Sequence, residues 1–349
     1  MQKLEFIGAD WLDVYVGPDS GMPLLGAVSN YVDIDDAAAM KLLHVRSPQL
    51  VRQLVEWEVR IQNGDTKGFV RFYDDFPKAC RAFCLMARIA VLCALLTKNL
   101  DLFRRVYMDM DRFSSSWPNA YGQMAVEGFM NWLKQLCFIS DGYAEWMERY
   151  DWTTIPVEWR YQVGYVGVRM MLVKGRYEAA LAAATVFQLF NRAESGNDNV
   201  SILMAQVCAS ACRELGRTEE MHFWHRKAAE LAAPRGMFLP FLSYFQGNGS
   251  PIVNVLSDIA PAILKKINEF DDIFYESLIL VRNFLTGEDF TTLLSRREFY
   301  IARCLKRDMS YKEIADRVGI SVGRTRNIIS DIYSKLNIHS RTGLDGKVW

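Results

Sequence analysis

Residues 310–336 read SYKEIADRVGISVGRTRNIISDIYSKL, and two helices joined by a tight turn are written into that stretch. Ser310, followed three residues later by Glu313, is a capping box, in which each side chain satisfies a free backbone N–H of the other residue. Tyr311, Ile314, Ala315 and Val318 then recur at helical spacing and form one apolar face. Gly319-Ile320-Ser321 makes a short turn. From Val322 to Leu336 a second apolar stripe runs through Ile329, Ile332, Tyr333 and Leu336. Upstream, Ser295-Arg296-Arg297-Glu298 is another capping box, and the helix it opens turns Ile301, Ala302 and Leu305 inward. Three short helices, two caps and a turn of this length predict a helix-turn-helix core.

On a helical wheel the last of these helices centres its buried stripe on Ile329. Asn327, Ser330 and Ser334 then point the opposite way, flanked by Arg324 and Arg326. Arg and Asn are the side chains that read guanine and adenine edges in the major groove. Lys312, Lys335 and Arg341 are placed to meet phosphates on either side. Charge agrees. Residues 295–349 hold twelve Lys and Arg against six Asp and Glu, a net +6, while the rest of this net-neutral chain carries 29 against 35, a net −6. A basic module on an acidic body predicts a polyanion partner for the module alone.

The runs Leu294-Ser295-Arg296-Arg297-Glu298, Ser310-Tyr311-Lys312-Glu313-Ile314-Ala315, Ile320-Ser321-Val322-Gly323-Arg324-Thr325-Arg326-Asn327 and Ser334-Lys335-Leu336-Asn337-Ile338-His339-Ser340-Arg341-Thr342 together resemble the signature of LuxR-type DNA-binding domains. The resemblance implies a four-helix domain. It puts Arg326, Asn327 and Ser330 at base-reading positions, and Lys312 and Lys335 on the phosphate side. Arg324, Thr325 and Arg341 are further candidates for phosphate or flanking contacts. It also implies a dimer contact through a fourth helix. This sequence departs from the family pattern in several places. Arg296 stands where Pro is usual, Arg324-Thr325 replaces a Thr-Val pair, Ile328 replaces a common His, Asp331 adds a negative charge, and Gly343 and Gly346 cut the fourth helix short.

Working outward, strand signals are scarce. Helical periodicity fills residues 35–285, as at Ala82, Leu85, Met86, Ile89 and Cys93. Asn99, Gly142, Gly175 and Gly216 mark a loose recurrence in which a helix ends at a small residue and the next begins. That spacing predicts tetratricopeptide-like helix pairs stacked as an α-solenoid. The dense aromatics Trp132, Trp146, Trp152, Trp159, Tyr161 and Tyr165 read either as packing between repeats or as the lining of a ligand or partner groove. Pro and Gly between residues 234 and 251 break the pattern, and Thr286-Gly287-Glu288-Asp289 reads as a linker. The expected division is therefore a helical-repeat sensor or interaction domain at 1–250, a helical connector and linker at 251–290, and the helix-turn-helix domain at 291–349. The run from Leu215-Gly216-Arg217 to Phe241-Leu242 is similar to the end of the repeat sensor in large, maltose-activator-like LuxR regulators. There the repeats bind an inducer or a partner protein and an ATPase module precedes them. No phosphate-binding GxxxxGK[ST] occurs here. This leaves two readings, a short ATP-independent relative or the C-terminal part of a longer chain.

Seven cysteines without a CxxC pair, mostly among apolar residues, read as buried thiols in a reducing compartment. Cys80 with Cys84, Cys208 with Cys212, and His222 with His225 share helix faces, but lack further ligands for a metal. No signal-peptide pattern, membrane-length apolar run or nucleophile elbow is present. The expectation is an all-α, cytoplasmic transcription regulator and not an enzyme, with no cofactor and no membrane association. It would bind double-stranded DNA as a homodimer and answer to a small-molecule inducer or protein partner at the helical repeats. The alternative is a helical-repeat scaffold whose helix-turn-helix no longer reads DNA.

Overall fold

The structure is a computed structural model that describes residues 49–78, 83–116, 120–150, 160–194, 198–245 and 250–348. Cys80, Trp152 and Trp159, the side chain of Tyr161, and the first 48 residues of the expected repeat domain lie outside them. The described residues are all-α, with no strand. In chain order the helices are α1 Gln49–Gln62, α2 Phe69–Asp75, α3 Phe83–Thr97, α4 Leu100–Ser116, α5 Ala120–Leu136, α6 Glu145–Glu148, α7 Arg160–Val173, α8 Tyr177–Glu194, α9 Asp198–Glu214, α10 Thr218–Ala232, α11 Leu239–Leu242, α12 Ile252–Ile259, α13 Pro261–Thr286, α14 Arg296–Lys306, α15 Tyr311–Val318 and α16 Val322–Leu336.

Two helices are apolar nearly all round and so become central. In α3, residues from Phe83 to Leu96 are buried on almost every side, and the helix touches α1, α2, α4, α5 and α13. In α9, Val200, Ile202, Met204, Ala205, Val207, Cys208, Ala211 and Cys212 are buried between α8 and α10. Helices α7 to α10 stack in chain order as a solenoid-like layer. The long α13 runs across α3, α4 and α11 and continues to α14.

The turns between paired helices share one device, a left-handed residue after the last helical turn. Gly175 and Gly216 have φ of 75° and 74°. The next N–H reaches back five residues in each case, Arg176 to the Met171 carbonyl at 2.9 Å and Arg217 to the Cys212 carbonyl at 2.8 Å, as a Schellman ending requires. At the α3–α4 turn the left-handed residue is Lys98, with φ 52°. Asn99 instead caps α4, its Oδ1 accepting from the Leu102 N–H at 2.9 Å. Gly142 also has positive φ, but α5 has already ended through Phe138. The recurrence in the sequence therefore marks two glycine turns and two places where a larger residue takes the strained position.

Trp132 and Tyr165 are buried. The Tyr165 and Tyr244 hydroxyls meet at 3.1 Å, and Trp146 donates to Glu127 at 2.6 Å. These aromatics are packing residues. The described cysteines, Cys84, Cys93, Cys137, Cys208, Cys212 and Cys304, are free and buried. Burial pushes the thiols of Cys208 and Cys212 up to about 12 and about 11, so they stay protonated. Among the described residues no group of His, Cys, Asp or Glu is placed to hold a metal ion, and no helix is long and apolar enough to cross a membrane.

His225 on α10 is buried, and burial, helped by the Arg213 and His222 charges, drops its pKa from 6.5 to about 3. The unfolded chain therefore binds a proton here that the folded chain refuses. Its contribution to stability is complete above about pH 6.5 and falls by about 1.4 kcal/mol per pH unit below it. Urea unfolding at pH 7 and pH 5 should show a loss of about 2 kcal/mol that His225→Leu removes. The same pH dependence in that variant would place its source elsewhere.

Candidate nucleic-acid interface

The last three helices and a 3₁₀ turn at Arg341–Leu344 enclose a second core. It contains Leu294, Phe299, Ile301, Leu305, Ile314, Val318, Ile329, Ile332, Leu336, Leu344 and Val348, together with Tyr275 and Ile279 from α13. Both capping boxes form. Ser295 and Glu298 close the start of α14, and Ser310 and Glu313 close that of α15. Gly319, at φ 73°, ends α15, and the Ile320 N–H bonds back to the Ala315 carbonyl at 3.0 Å. Ser321 then opens α16, its Oγ accepting from the Arg324 N–H at 3.2 Å. The fourth element is a single 3₁₀ turn, and Gly343 within it packs directly on Ile338, where a Cβ would come within 2.7 Å.

On α16, Arg324, Asn327 and Ser330 are exposed away from Ile329, Arg326 is exposed beside the buried stripe, and Lys312 is exposed near the start of α15. Thr325 does not join them. It is fully buried and donates its hydroxyl to the Ser321 carbonyl at 3.1 Å, so it braces the helix start. Lys335 spans both carboxylate oxygens of Glu298 at 2.8 Å, tying α16 to the capping box of α14. Arg341 donates to the Met309 carbonyl at 3.1 Å and lies 3.6 Å from Asp308. These two cations serve the fold first, and each would have to share itself with a phosphate.

The profile of the bacterial regulatory proteins of the luxR family matches residues 292–344. The C-terminal domain is a LuxR-type helix-turn-helix. Domains of this kind are non-enzymatic and bind DNA in transcription regulators. No curated protein and no solved structure matches the chain.

The LuxR-type domain is docked on the helical body through residues that sequence reasoning left unassigned. Arg296 is buried and meets the buried Asp271 of α13 at 3.0 Å, with its guanidinium 5.5 Å from the Tyr275 ring. Glu214, at the end of α9, lies 3.3 Å from Arg317 and 3.5 Å from Arg307. Burial alone would raise the Glu214 carboxyl, but Arg213, Arg317 and Arg307 outweigh it and hold it below the ordinary value. Arg213 also sits over the Tyr300 ring at 5.1 Å. The Arg at 296, where the family carries Pro, was the one visible trace of this interface. The +6 of the tail is thus divided, because Arg296, Arg307 and Arg317 point to the body and only part of the charge faces outward.

Proposed function

We propose that the chain is a sequence-specific DNA-binding transcription regulator. Arg326, Asn327 and Ser330 read bases, and Lys312 and Arg324 hold phosphates, with Lys335 and Arg341 in secondary contact. The observation that carries the reading is the exposed Arg-Asn-Ser face of α16, directly after the Gly319 turn, in a LuxR-type domain. The helical body senses a ligand or a partner protein. Two domains bind as a homodimer on inverted half-sites, since a two-fold protein matches a palindromic site. The working division is a sensing body at 1–250, a connector at 251–290 and the reader at 291–349, in a cytoplasmic protein. Docking does not cover the reading face, so the body acts by holding or releasing the domain through α13 and α14, or by setting the spacing of two domains.

The test is a duplex selected from a random pool, followed by binding of the full chain and its variants. Arg326→Ala should relax preference at one base pair by about 1–3 kcal/mol. Lys312→Ala should weaken all sequences alike and lower the salt slope by about 0.9. Equal effects of both variants on every sequence would contradict these roles. Selection of no duplex at all would favour the scaffold reading.

A further inference from the structure

Between the body and the LuxR-type domain lies a cavity of about 470 Å³, within the range of small-molecule sites. Its cations come from both sides. Arg169 on α7, Arg213 on α9 and Arg282 on α13 line it from the body, and Arg296, Arg303 and Arg307 line it from the domain or its entry. Lys306 adds another charge, and among the described residues Glu214 is the one carboxylate in the lining.

Arg169 is the decisive residue. It is only 1% exposed, and none of its three guanidinium nitrogens has a hydrogen-bond partner among the described residues. It stacks on Tyr244 at 4.0 Å and lies 5.0 Å from the Phe138 ring. Those faces attract a cation, and apart from a loose contact with the Tyr244 hydroxyl they leave its N–H donors unused. A guanidinium cannot discharge itself by losing a proton, and a buried unpaired charge is costly. The Nε atoms of Arg213 and Arg303 are also without a hydrogen-bond partner. Burial lowers the pKa of Arg296 and Arg303, as expected for cations held out of water without full compensation.

We propose that this cavity binds a small metabolite carrying two or more phosphate or carboxylate groups, with Arg169 as its buried anchor. Planar guanidinium forks engage both kinds of oxyanion bidentately, and the Tyr244 and Phe138 rings offer an apolar wall to the rest of the molecule. The occupant contacts both the body and α14. It neutralises cations that otherwise repel one another across the boundary, so it strengthens docking of the DNA-binding domain. Binding of the anion does not depend on the DNA-binding reading; the consequence for DNA does.

The experiment is calorimetric titration of the full chain with pyrophosphate and, separately, with citrate, at constant ionic strength set with chloride. At least one of them should give saturable binding and raise the melting temperature, and which one does so tells a phosphate preference from a carboxylate preference. Arg326→Ala, altered on the outer face of α16, should bind as the parent does. Arg169→Gln should lose about tenfold or more, the worth of a charge-assisted hydrogen bond. Should that variant not fold, Arg303→Gln, which is only partly buried, decides by the same criterion. Neither probe saturating would overturn the proposal. So would undiminished binding in Arg169→Gln and Arg303→Gln, or loss in Arg326→Ala alone, which would put the anion on the DNA face.

Discussion

Asp271→Ala will destabilise the folded chain by about 3–5 kcal/mol, because it leaves a buried guanidinium without its counter-charge. Asp271 and Arg296 meet at 3.0 Å with both side chains 7% exposed. Burial nevertheless raises the Asp271 carboxyl in spite of Arg296, and lowers Arg296 in spite of Asp271. Desolvation therefore exceeds attraction for each partner. Such a pair contributes little net stability while intact and becomes expensive when broken. The double variant Asp271→Leu/Arg296→Met should accordingly recover most of the loss, since it removes both charges and keeps the volume. Urea unfolding of the parent, the single and the double variant checks this. A single-variant cost below about 1 kcal/mol would be the value of an exposed pair, and would mean that the domain is not docked through α13 in solution.

The affinity of the full chain for a selected duplex should fall by about 10²-fold per bound domain between 50 and 200 mM salt, the loss given by about four phosphate contacts with a slope near −3.6. Lys312 and Arg324 face outward, and Lys335 and Arg341 are held internally but remain near the surface. Arg296, Arg307 and Arg317 are committed to Asp271 and Glu214. If all twelve cations of the tail reached phosphates, the slope would be near −11 and the loss about 10⁶-fold. A slope of that size would mean that the domain leaves the body on DNA. A flat response would remove the DNA-binding reading altogether. Titration by fluorescence anisotropy at several salt concentrations separates the three cases.

The helix-turn-helix was legible because everything that specifies it is local. Ser295 with Glu298, and Ser310 with Glu313, satisfy each other across one helical turn, and the stripes through Ile314 and Val318 or Ile329 and Ile332 follow from helical spacing. The exposure of Asn327 and Ser330 follows from the same periodicity, because a residue turned away from the buried stripe has nowhere else to point, while Arg326 flanks the stripe and is exposed as well. Thr325 was misjudged for a related reason. The wheel followed strictly puts it inside the stripe, one turn before Ile329, where it is buried, and the Ser321 carbonyl takes its hydroxyl. The helical turns were half legible. Gly175 and Gly216 announce positive φ, whereas Lys98 and Phe138 adopt it without a sequence sign.

By itself, then, the sequence determined the all-α class, the caps, the helix-turn-helix and the excess of charge in the tail. Only the tertiary structure decided where that charge goes. Arg296 finds Asp271 twenty-five residues away, and Arg317 finds Glu214 across 103 residues. Neither contact has a period or a spacing to betray it. Coulomb attraction and burial act through space, so the same Arg on two faces of one small domain is left exposed on one side and becomes a fastening to the body on the other.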